Sequence, residues 1–237
     1  MPTTVIAHRG ASAHALEHTT AAFDLAIAQG ADVLELDLRS TLDNTTVVVH
    51  DETLLRTAGD DRAVAALGWA EIEAVPGGGR PLRLEDVFAR YGRTIRYLLD
   101  LKDPSPAIVG DVVRLVDRFG LADRVAVQSF ETAPLRYLRQ LRPAVPVALL
   151  YPFLMPARLI RADLPRVADL VAAIGPHAAS VDGALVADAH RLGIRVQAWT
   201  VNDRVDMGRL LRLGVDALIT DAPDRARDVL ASVAAAA

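Results

Sequence analysis

The chain alternates short apolar runs with longer stretches in which apolar residues recur at helical spacing. Most of the apolar runs are three to six residues long and lack strict alternation with polar residues. Runs of this kind predict strands that are buried on both faces, as in parallel sheets. The predicted strands are residues 4–7, 33–38, 46–49, 95–99, 125–127, 145–150, 179–181, 194–198 and 217–219.

Helical segments follow these strands, and glycines stand behind several of them as stop signals. The predicted helices are residues 20–28, 69–74, 84–91, 107–119, 134–141, 156–173 and 184–192, one that ends at residue 213 and one that starts at Pro223. Eight strand–helix units predict a (β/α)8 TIM barrel that forms a single domain over residues 1–237. An open doubly wound sheet is the alternative. The absence of a G-x-G-x-x-G motif after the first strand counts against its dinucleotide-binding form.

One stretch, residues 33–51, places charge on an otherwise apolar strand. Glu35 and Asp37 are two residues apart, so both carboxylates project from one face and the neighbouring leucines from the other. A divalent cation held by oxygen ligands would neutralise such a pair. The turn signal at residues 43–44 returns the chain through a second strand to His50. The alternative from this stretch alone is two solvent-facing carboxylates and a surface histidine.

Composition narrows the class of protein. At 237 residues with 51% hydrophobic content the chain can bury a large core, as one domain or two. The 30 acidic and 26 basic residues form no basic face, so we expect no nucleic-acid partner. The absence of cysteine excludes disulfides and thiolate metal sites. No signal peptide or bilayer-spanning segment is visible, which predicts a cytoplasmic protein without stable membrane insertion.

Polar residues collect at the carboxyl ends of the predicted strands, which share one face of a barrel and form its active site. They are His8, Arg9, Glu35, Asp37, His50, Asp100, Lys102, Gln128, Trp199, Asn202 and Asp221. Carboxylates without thiols favour Mg²⁺ or Ca²⁺ over zinc. Arg9 and Lys102 suit an anionic substrate that carries phosphate. A cation and two imidazoles together predict phosphoryl transfer or phosphodiester cleavage.

Short motifs follow one another along almost the whole chain. They are His8-Arg9-Gly10, Glu17 with Thr19, Glu35-x-Asp37, His50-Asp51, Asp100-x-Lys102, Trp199-Thr200-Val201-Asn202, Gly214-Val215-Asp216 and Thr220-Asp221-x-Pro223-Asp224. This ordered set resembles the glycerophosphodiester phosphodiesterase family, whose fold is a TIM barrel. The resemblance implies metal-dependent hydrolysis of a small glycerophosphodiester to glycerol 3-phosphate and an alcohol.

The resemblance also implies a role for each matched residue. His8 and His50 match the general acid and base. The three carboxylates that would hold the divalent cation are Glu35, Asp37 and Asp100. Arg9 and Lys102 match the basic pair that would bind the phosphate. Glu17 matches the acidic loop residue near the glycerol hydroxyls, and Trp199 matches the aromatic residue on the leaving-group side.

The chain departs from the family pattern at two motifs, and the insertion that usually follows the His-Asp pair is short here. It has Leu16-Glu17-His18-Thr19 where the family commonly has Pro-Glu-Asn-Thr, so His18 adds a third titratable group near the site. The third metal ligand is Asp100 where the family usually has Glu. Because Asp is one methylene shorter, this departure affects the expected metal preference more than the expected activity.

Several other polar residues have simpler predicted roles. We expect His14 and His18, which lie in a polar loop, to face solvent. We expect Asp221 to cap the helix that starts with Pro223, and the alternative is that it orients another group of the site. Asp51 and Asp103 are expected to make surface or loop contacts. Trp199 is expected either in the barrel core or in the substrate wall.

Three other functions stay open at this point. Phospholipase D-like cleavage of lysophospholipids or sphingomyelin would need an apolar groove, for which only residues 151–156, Tyr-Pro-Phe-Leu-Met-Pro, give a signal. A catalytically silent barrel that binds phosphorylated ligands would not need both histidines and all three carboxylates. A metal-independent isomerase or aldolase would leave the carboxylates unexplained. Metal dependence separates the two hydrolytic readings from this last one.

Overall fold

The structure, a computed structural model, describes residues 3–103 and 105–235. Its strands are β1 (Thr4–His8), β2 (Val33–Ser40), β3 (Thr46–Val48), β4 (Leu82–Arg83), β5 (Arg96–Leu101), β6 (Val125–Ser129), β7 (Val147–Leu150), β8 (Ala173–Gly175), β9 (Arg195–Ala198) and β10 (Ala217–Thr220). Eight of them pair in parallel, and β1 pairs with both β2 and β10, which closes the sheet. The predicted TIM barrel is confirmed.

The helices lie between the strands and cover the outside of the barrel. They are α1 (Thr20–Ala28), α2 (Leu55–Ala58), α3 (Trp69–Glu73), α4 (Leu84–Tyr91), α5 (Pro106–Arg118), α6 (Thr132–Leu141), α7 (Ala157–Val167), α8 (Gly183–Arg191), α9 (Arg204–Leu213) and α10 (Pro223–Ala235). Thr19 caps α1 through a bond from the Ala22 N–H, and Gly214 ends α9 in the left-handed conformation. Within the described ranges, no helix is long and apolar enough to cross a bilayer.

Two short strands lie outside the closed barrel. β3 runs antiparallel to β2, with Leu38 opposite Val48, and β4 pairs with β3. The turn between β2 and β3 is held by Thr41, whose hydroxyl accepts the Thr45 N–H, and Asn44 adopts a positive φ of 60°. The predicted return of the chain toward the paired-carboxylate strand is therefore present, and it carries His50 to the mouth of the barrel.

The sixth barrel strand lies at a different place from the predicted one. The sequence pattern predicts a helix over 156–173 and a strand over 179–181. The helix is present but shorter than predicted, and the strand prediction is wrong. The helix α7 ends at Val167, β8 follows at Ala173–Gly175, and residues 178–180 form one turn of 3₁₀ helix. A three-residue apolar run has no periodicity of its own, so its pairing with β7 and β9 decides its conformation.

The strands separate two apolar layers. The leucines of β2 face outward into the main core between sheet and helices. The smaller inner cluster lies inside the barrel and contains Ile6, Val33, Leu98, Ala217 and Ile219. Since side chains alternate along a strand, the residues that follow Val33 on the inner face of β2 are Glu35 and Asp37. The fold therefore turns both carboxylates toward the barrel axis.

Candidate active site

The three carboxylates predicted as metal ligands form one buried group. Parallel pairing places Asp37 of β2 beside Asp100 of β5, with Glu35 one step lower on the same inner face. One oxygen from each residue lies within 4.8 Å of the other two. The exposed fraction is 1% for Glu35, 1% for Asp37 and 3% for Asp100. Three carboxylates that are this close together and this well buried from solvent require positive charge beside them.

Two cationic side chains supply part of that charge. Lys102 Nζ lies 2.9 Å from an oxygen of Asp37 and 2.6 Å from an oxygen of Asp100. Arg9 Nε lies 3.0 Å from the other oxygen of Asp37, and the Arg9 backbone N–H donates to Glu35 over 3.0 Å. Three carboxylates thus face two cations, so the site can accept further positive charge.

The protonation of the carboxylates reflects this imbalance. Burial, reinforced by the charges of Asp37 and Asp100, raises the pKa of Glu35 well above its usual range. Burial also raises the pKa of Asp100 to about 6, against the opposing charge of Lys102. Burial alone would raise the pKa of Asp37, but the hydrogen bond with His18 and the charge of Lys102 outweigh it and hold that pKa well below its usual range.

These residues fit a hard divalent cation. Their donors are all carboxylate oxygens, which Mg²⁺ and Ca²⁺ prefer. Asp100 Oδ1 is buried and has no hydrogen-bond partner among the residues that the structure describes. A buried carboxylate oxygen without a donor costs free energy, which a bound cation would relieve. The neutralising charge would also allow Glu35 to ionise.

His18 is buried in this site, so the expectation that it faces solvent is wrong. Its side chain is 5% exposed, and Nε2 lies 2.9 Å from Asp37 Oδ2. The loop after β1 folds back on itself here, since the His18 N–H donates to the Arg9 carbonyl over 3.0 Å and His18 adopts a φ of 56°. Asn tolerates this left-handed conformation better than most residues, and the family pattern has Asn at this position. Burial lowers the pKa of His18, against the hydrogen bond with Asp37.

His8 ends β1 and is held by Asp221, which follows β10. His8 Nδ1 lies 2.6 Å from Asp221 Oδ1, and the same oxygen accepts the Ser12 hydroxyl over 3.0 Å. Asp221 Oδ2 accepts the Asn202 amide. The predicted helix cap is therefore wrong, because this carboxylate binds His8, Ser12 and Asn202 and, among the described residues, accepts no backbone N–H of α10. The alternative role, orientation of another group of the site, is the one that these contacts support. Burial raises the pKa of Asp221, but the bond and charge of His8 outweigh it and lower the pKa, so this carboxylate stays ionised.

His50 is held by its neighbour in the chain. Its Nδ1 lies 2.7 Å from Asp51 Oδ1, while Arg39 Nε donates to the His50 carbonyl over 2.9 Å. Arg56 of α2 donates to the second oxygen of Asp51 over 2.6 Å and to both oxygens of Glu17 over 2.7 and 2.8 Å. Asp51 thus makes a loop contact, as predicted, and that contact orients His50. Burial lowers the pKa of His50, against the charge of Asp37 and the hydrogen bond of Asp51.

Trp199 lies at the edge of the site. Its Nε1 donates to the Gly175 carbonyl over 2.7 Å, and its ring stacks edge-on against Phe130 and His177 with centroids 5.8 and 5.6 Å away. Phe153 continues this row of rings, 4.4 Å from His177. Trp199 is partly exposed and so combines both predicted positions, one end packed on the barrel and one end at its mouth.

A family match accounts for this arrangement. The sequence profile of the glycerophosphoryl diester phosphodiesterase family matches residues 8–225. The chain belongs to this family. The predicted family and the predicted enzyme class, a phosphoric diester hydrolase, are confirmed.

Relatives of the phosphodiesterase cover nearly its full length. A glycerophosphodiester phosphodiesterase from Caldanaerobacter subterraneus subsp. tengcongensis is 31% identical over 94% of this chain and 96% of the relative. Lysophospholipase D GDPD3 from Homo sapiens is 26% identical over 94% of this chain and 84% of the relative. A phosphodiesterase from Oleispira antarctica, solved in complex with the product sn-glycerol-3-phosphate, is 25% identical, covers 97% of each chain and superposes with a TM-score of 0.85.

The phosphodiesterase contains further polar contacts that the sequence motifs did not indicate. Arg56 joins the loop of Glu17 to the hairpin of His50. Phe130 lies between Lys102, whose Nζ is 5.8 Å from the ring centroid, and Trp199. Gln128, which the sequence did place at the carboxyl end of a strand, is paired with Asp100 in the sheet and is buried. The one signal in the sequence for the contacts of Phe130 is its position, one residue beyond β6 at the mouth of the barrel.

Proposed function

We propose that the phosphodiesterase hydrolyses glycerophosphodiesters to glycerol 3-phosphate and an alcohol, with a divalent cation and with His8 and His50 as the proton-transfer pair. The observation that carries the proposal is the state of the two imidazoles. Each has Nδ1 bound to a carboxylate, and among the described residues neither Nε2 has a hydrogen-bond partner. A carboxylate at Nδ1 favours the tautomer whose Nε2 is free to accept a proton.

The cation would be held by Glu35, Asp37 and Asp100 and would supply charge neutralisation for the phosphate group. Mg²⁺ and Ca²⁺ both suit the oxygen ligands. The positive charge already beside these carboxylates belongs to Arg9 and Lys102. In this proposal the two side chains bind the phosphate oxygens and so help to stabilise the additional charge of the transition state.

The two histidines divide the proton transfers between them. One imidazole takes a proton from the attacking hydroxyl or water, and the other gives a proton to the departing alcohol. The lowered pKa of His50 keeps its imidazole neutral at physiological pH. The ionised Asp221 stabilises the imidazolium that His8 would form. Each histidine should contribute about 10²–10⁴-fold to the rate.

Substrate orientation is assigned to two further residues. Glu17, fixed by bonds from Arg9 and Arg56, would face the glycerol hydroxyls. Trp199 and its row of rings would line the side from which the alcohol leaves. The product complex of the Oleispira antarctica phosphodiesterase supports glycerol 3-phosphate as the product. A cytoplasmic location and the absence of nucleic-acid partners stay predictions from the sequence.

Cleavage of lysophospholipids is the second candidate function. The segment at residues 151–156 exposes Phe153 by 65% and Leu154 by 55%. These side chains lie at the end of the row of rings that contains Trp199, where they could contact an acyl chain. The human relative named lysophospholipase D supports the same substrate class.

The deciding experiment is release of glycerol 3-phosphate from glycerophosphocholine, measured in EDTA and again after Mg²⁺ or Ca²⁺ is restored. We expect release only with a cation. Release of choline and lysophosphatidic acid from lysophosphatidylcholine, without release of glycerol 3-phosphate from glycerophosphocholine, would establish the second candidate. Metal-independent release would contradict the role given to Glu35, Asp37 and Asp100.

A further inference from the structure

The barrel contains a cavity of about 630 Å³ at the end opposite the candidate active site. Its volume is typical of sites that bind small molecules. Barrel interiors are usually filled by bulky branched side chains, but here two inward positions are alanine, which leaves space. The apolar side chains of the cavity wall include the inward-facing residues Ile6, Val33, Leu98, Ala126 and Ala217.

Three arginines stand at the mouth of this cavity. Arg96 and Arg195 are the first residues of β5 and β9, and Arg124 immediately precedes β6. Each is two residues before an inward-facing position, so the alternation along the strands turns all three toward the barrel axis. All three line the cavity.

The charge of these arginines is largely uncompensated. Among the residues that the structure describes, Arg96 and Arg195 have no carboxylate within 4.0 Å, and Arg124 has only Asp123 at 3.8 Å. That carboxylate already binds Arg93 through two hydrogen bonds of 2.7 and 2.8 Å. A structural role in an ion pair therefore does not explain the three guanidinium groups.

The remaining charged neighbours of the cavity are occupied. Asp216 lines it, but its Oδ2 accepts the Val196 N–H over 2.7 Å and lies 2.9 Å from Nε2 of His190. Positive charge thus exceeds negative charge at the mouth. Guanidinium groups match the geometry of phosphate oxygens, which they bind through paired N–H donors.

The floor of the cavity carries a hydrogen-bond acceptor instead of positive charge. Gln197 follows Arg195 on the inner face of β9 and is 9% exposed. Its Oε1 is buried and has no hydrogen-bond donor within the described ranges. A buried amide oxygen without a donor is rare and unfavourable, so a hydroxyl group at this position would be stabilising.

We propose that this cavity is a second ligand site, which binds a small phosphate ester that also carries hydroxyl groups. The phosphate lies at the mouth between the arginines, and a hydroxyl donates to Gln197 Oε1 on the floor. The site is separate from the carboxylate cluster, which lies at the other end of the same strands. The proposal does not depend on the substrate of the active site.

Isothermal titration calorimetry with glycerol 2-phosphate tests the site on the intact, metal-free protein in EDTA. We expect saturable binding that the double variant Arg96→Gln/Arg195→Gln weakens at least about tenfold, because each lost guanidinium removes charge-assisted hydrogen bonds. The double variant should keep the wild-type turnover. Arg158→Gln/Arg212→Gln is the matched control, since it removes the same two charges from exposed positions of α7 and α9 outside the cavity wall.

Two results would overturn the proposal. One is binding of glycerol 2-phosphate that is unchanged in the Arg96→Gln/Arg195→Gln variant, because all of the binding would then belong to the active site. The other is an equal loss in Arg158→Gln/Arg212→Gln, which would show general attraction by positive charge. Gln197→Leu separates the floor from the mouth: it should weaken glycerol 2-phosphate but leave inorganic phosphate unchanged, and equal weakening of both would exclude the hydroxyl contact.

Discussion

Replacing Asp221 by Asn removes the charge that faces His8 and preserves the shape of the side chain. The carboxylate lies 2.6 Å from His8 Nδ1 and also accepts the Ser12 hydroxyl. A hydrogen bond to a charged group contributes about 1.5–3 kcal/mol, and its loss from an imidazolium corresponds to about 10- to 150-fold in rate. The amide can also turn its donor toward Nδ1 and so favour the wrong tautomer, which costs about 10⁴-fold in serine proteases.

We therefore expect Asp221→Asn to lower kcat for glycerophosphocholine by about 10²–10⁴-fold, with a smaller change in KM. The assay is metal-supplemented release of glycerol 3-phosphate under saturating substrate, with thermal unfolding as the check on the fold. Asp224→Asn is the matched control, because Asp224 also pairs with a histidine, His14, but at 3.3 Å on the exposed surface. An Asp221→Asn enzyme with unchanged kcat would refute the role of this carboxylate.

Three further predictions concern charge, pH and backbone. Glu35→Gln should raise the melting temperature in EDTA, because it removes a buried carboxylate whose raised pKa makes ionisation unfavourable. The same variant should lose the stabilisation by Mg²⁺. A rise in melting temperature with Mg²⁺ equal to that of the wild type would contradict the set of metal ligands. Asp51→Asn should move the limb of the pH–kcat/KM profile set by His50 to lower pH. The hydrogen bond with Asp51 raises the pKa of His50 in the wild type, so its loss lowers that pKa; movement to higher pH would be inconsistent with the pairing. Gly10→Ala should lower the free energy of unfolding, measured by urea denaturation, by at least about 2 kcal/mol. The reason is that Gly10 has a φ of 85° and the new Cβ would lie 2.8 Å from the backbone carbonyl carbon of Ala22. Near-wild-type stability would show that the loop can relax.

The sequence by itself determined the class of fold and the residues of the carboxylate group. Uninterrupted apolar runs between helical segments indicate a parallel barrel, and the two-residue spacing of Glu35 and Asp37 fixes their common face. His8, His50 and Lys102 could be assigned to the mouth because each follows an apolar run. All of these properties depend on a few consecutive residues, which is why the pattern predicts them.

Only the tertiary structure decided which groups bind one another across the barrel. Asp221 reaches His8 because closure of the sheet brings β10 beside β1, although 213 residues separate the pair in the chain. His18 becomes a buried partner of Asp37 because the loop after β1 folds back over β2. The location of β8 likewise depends on its neighbours. Three apolar residues fit a helix or a strand equally well, and here their pairing with β7 and β9 makes them a strand. Local periodicity specifies which way a side chain faces, and only closure of the barrel specifies what it meets there.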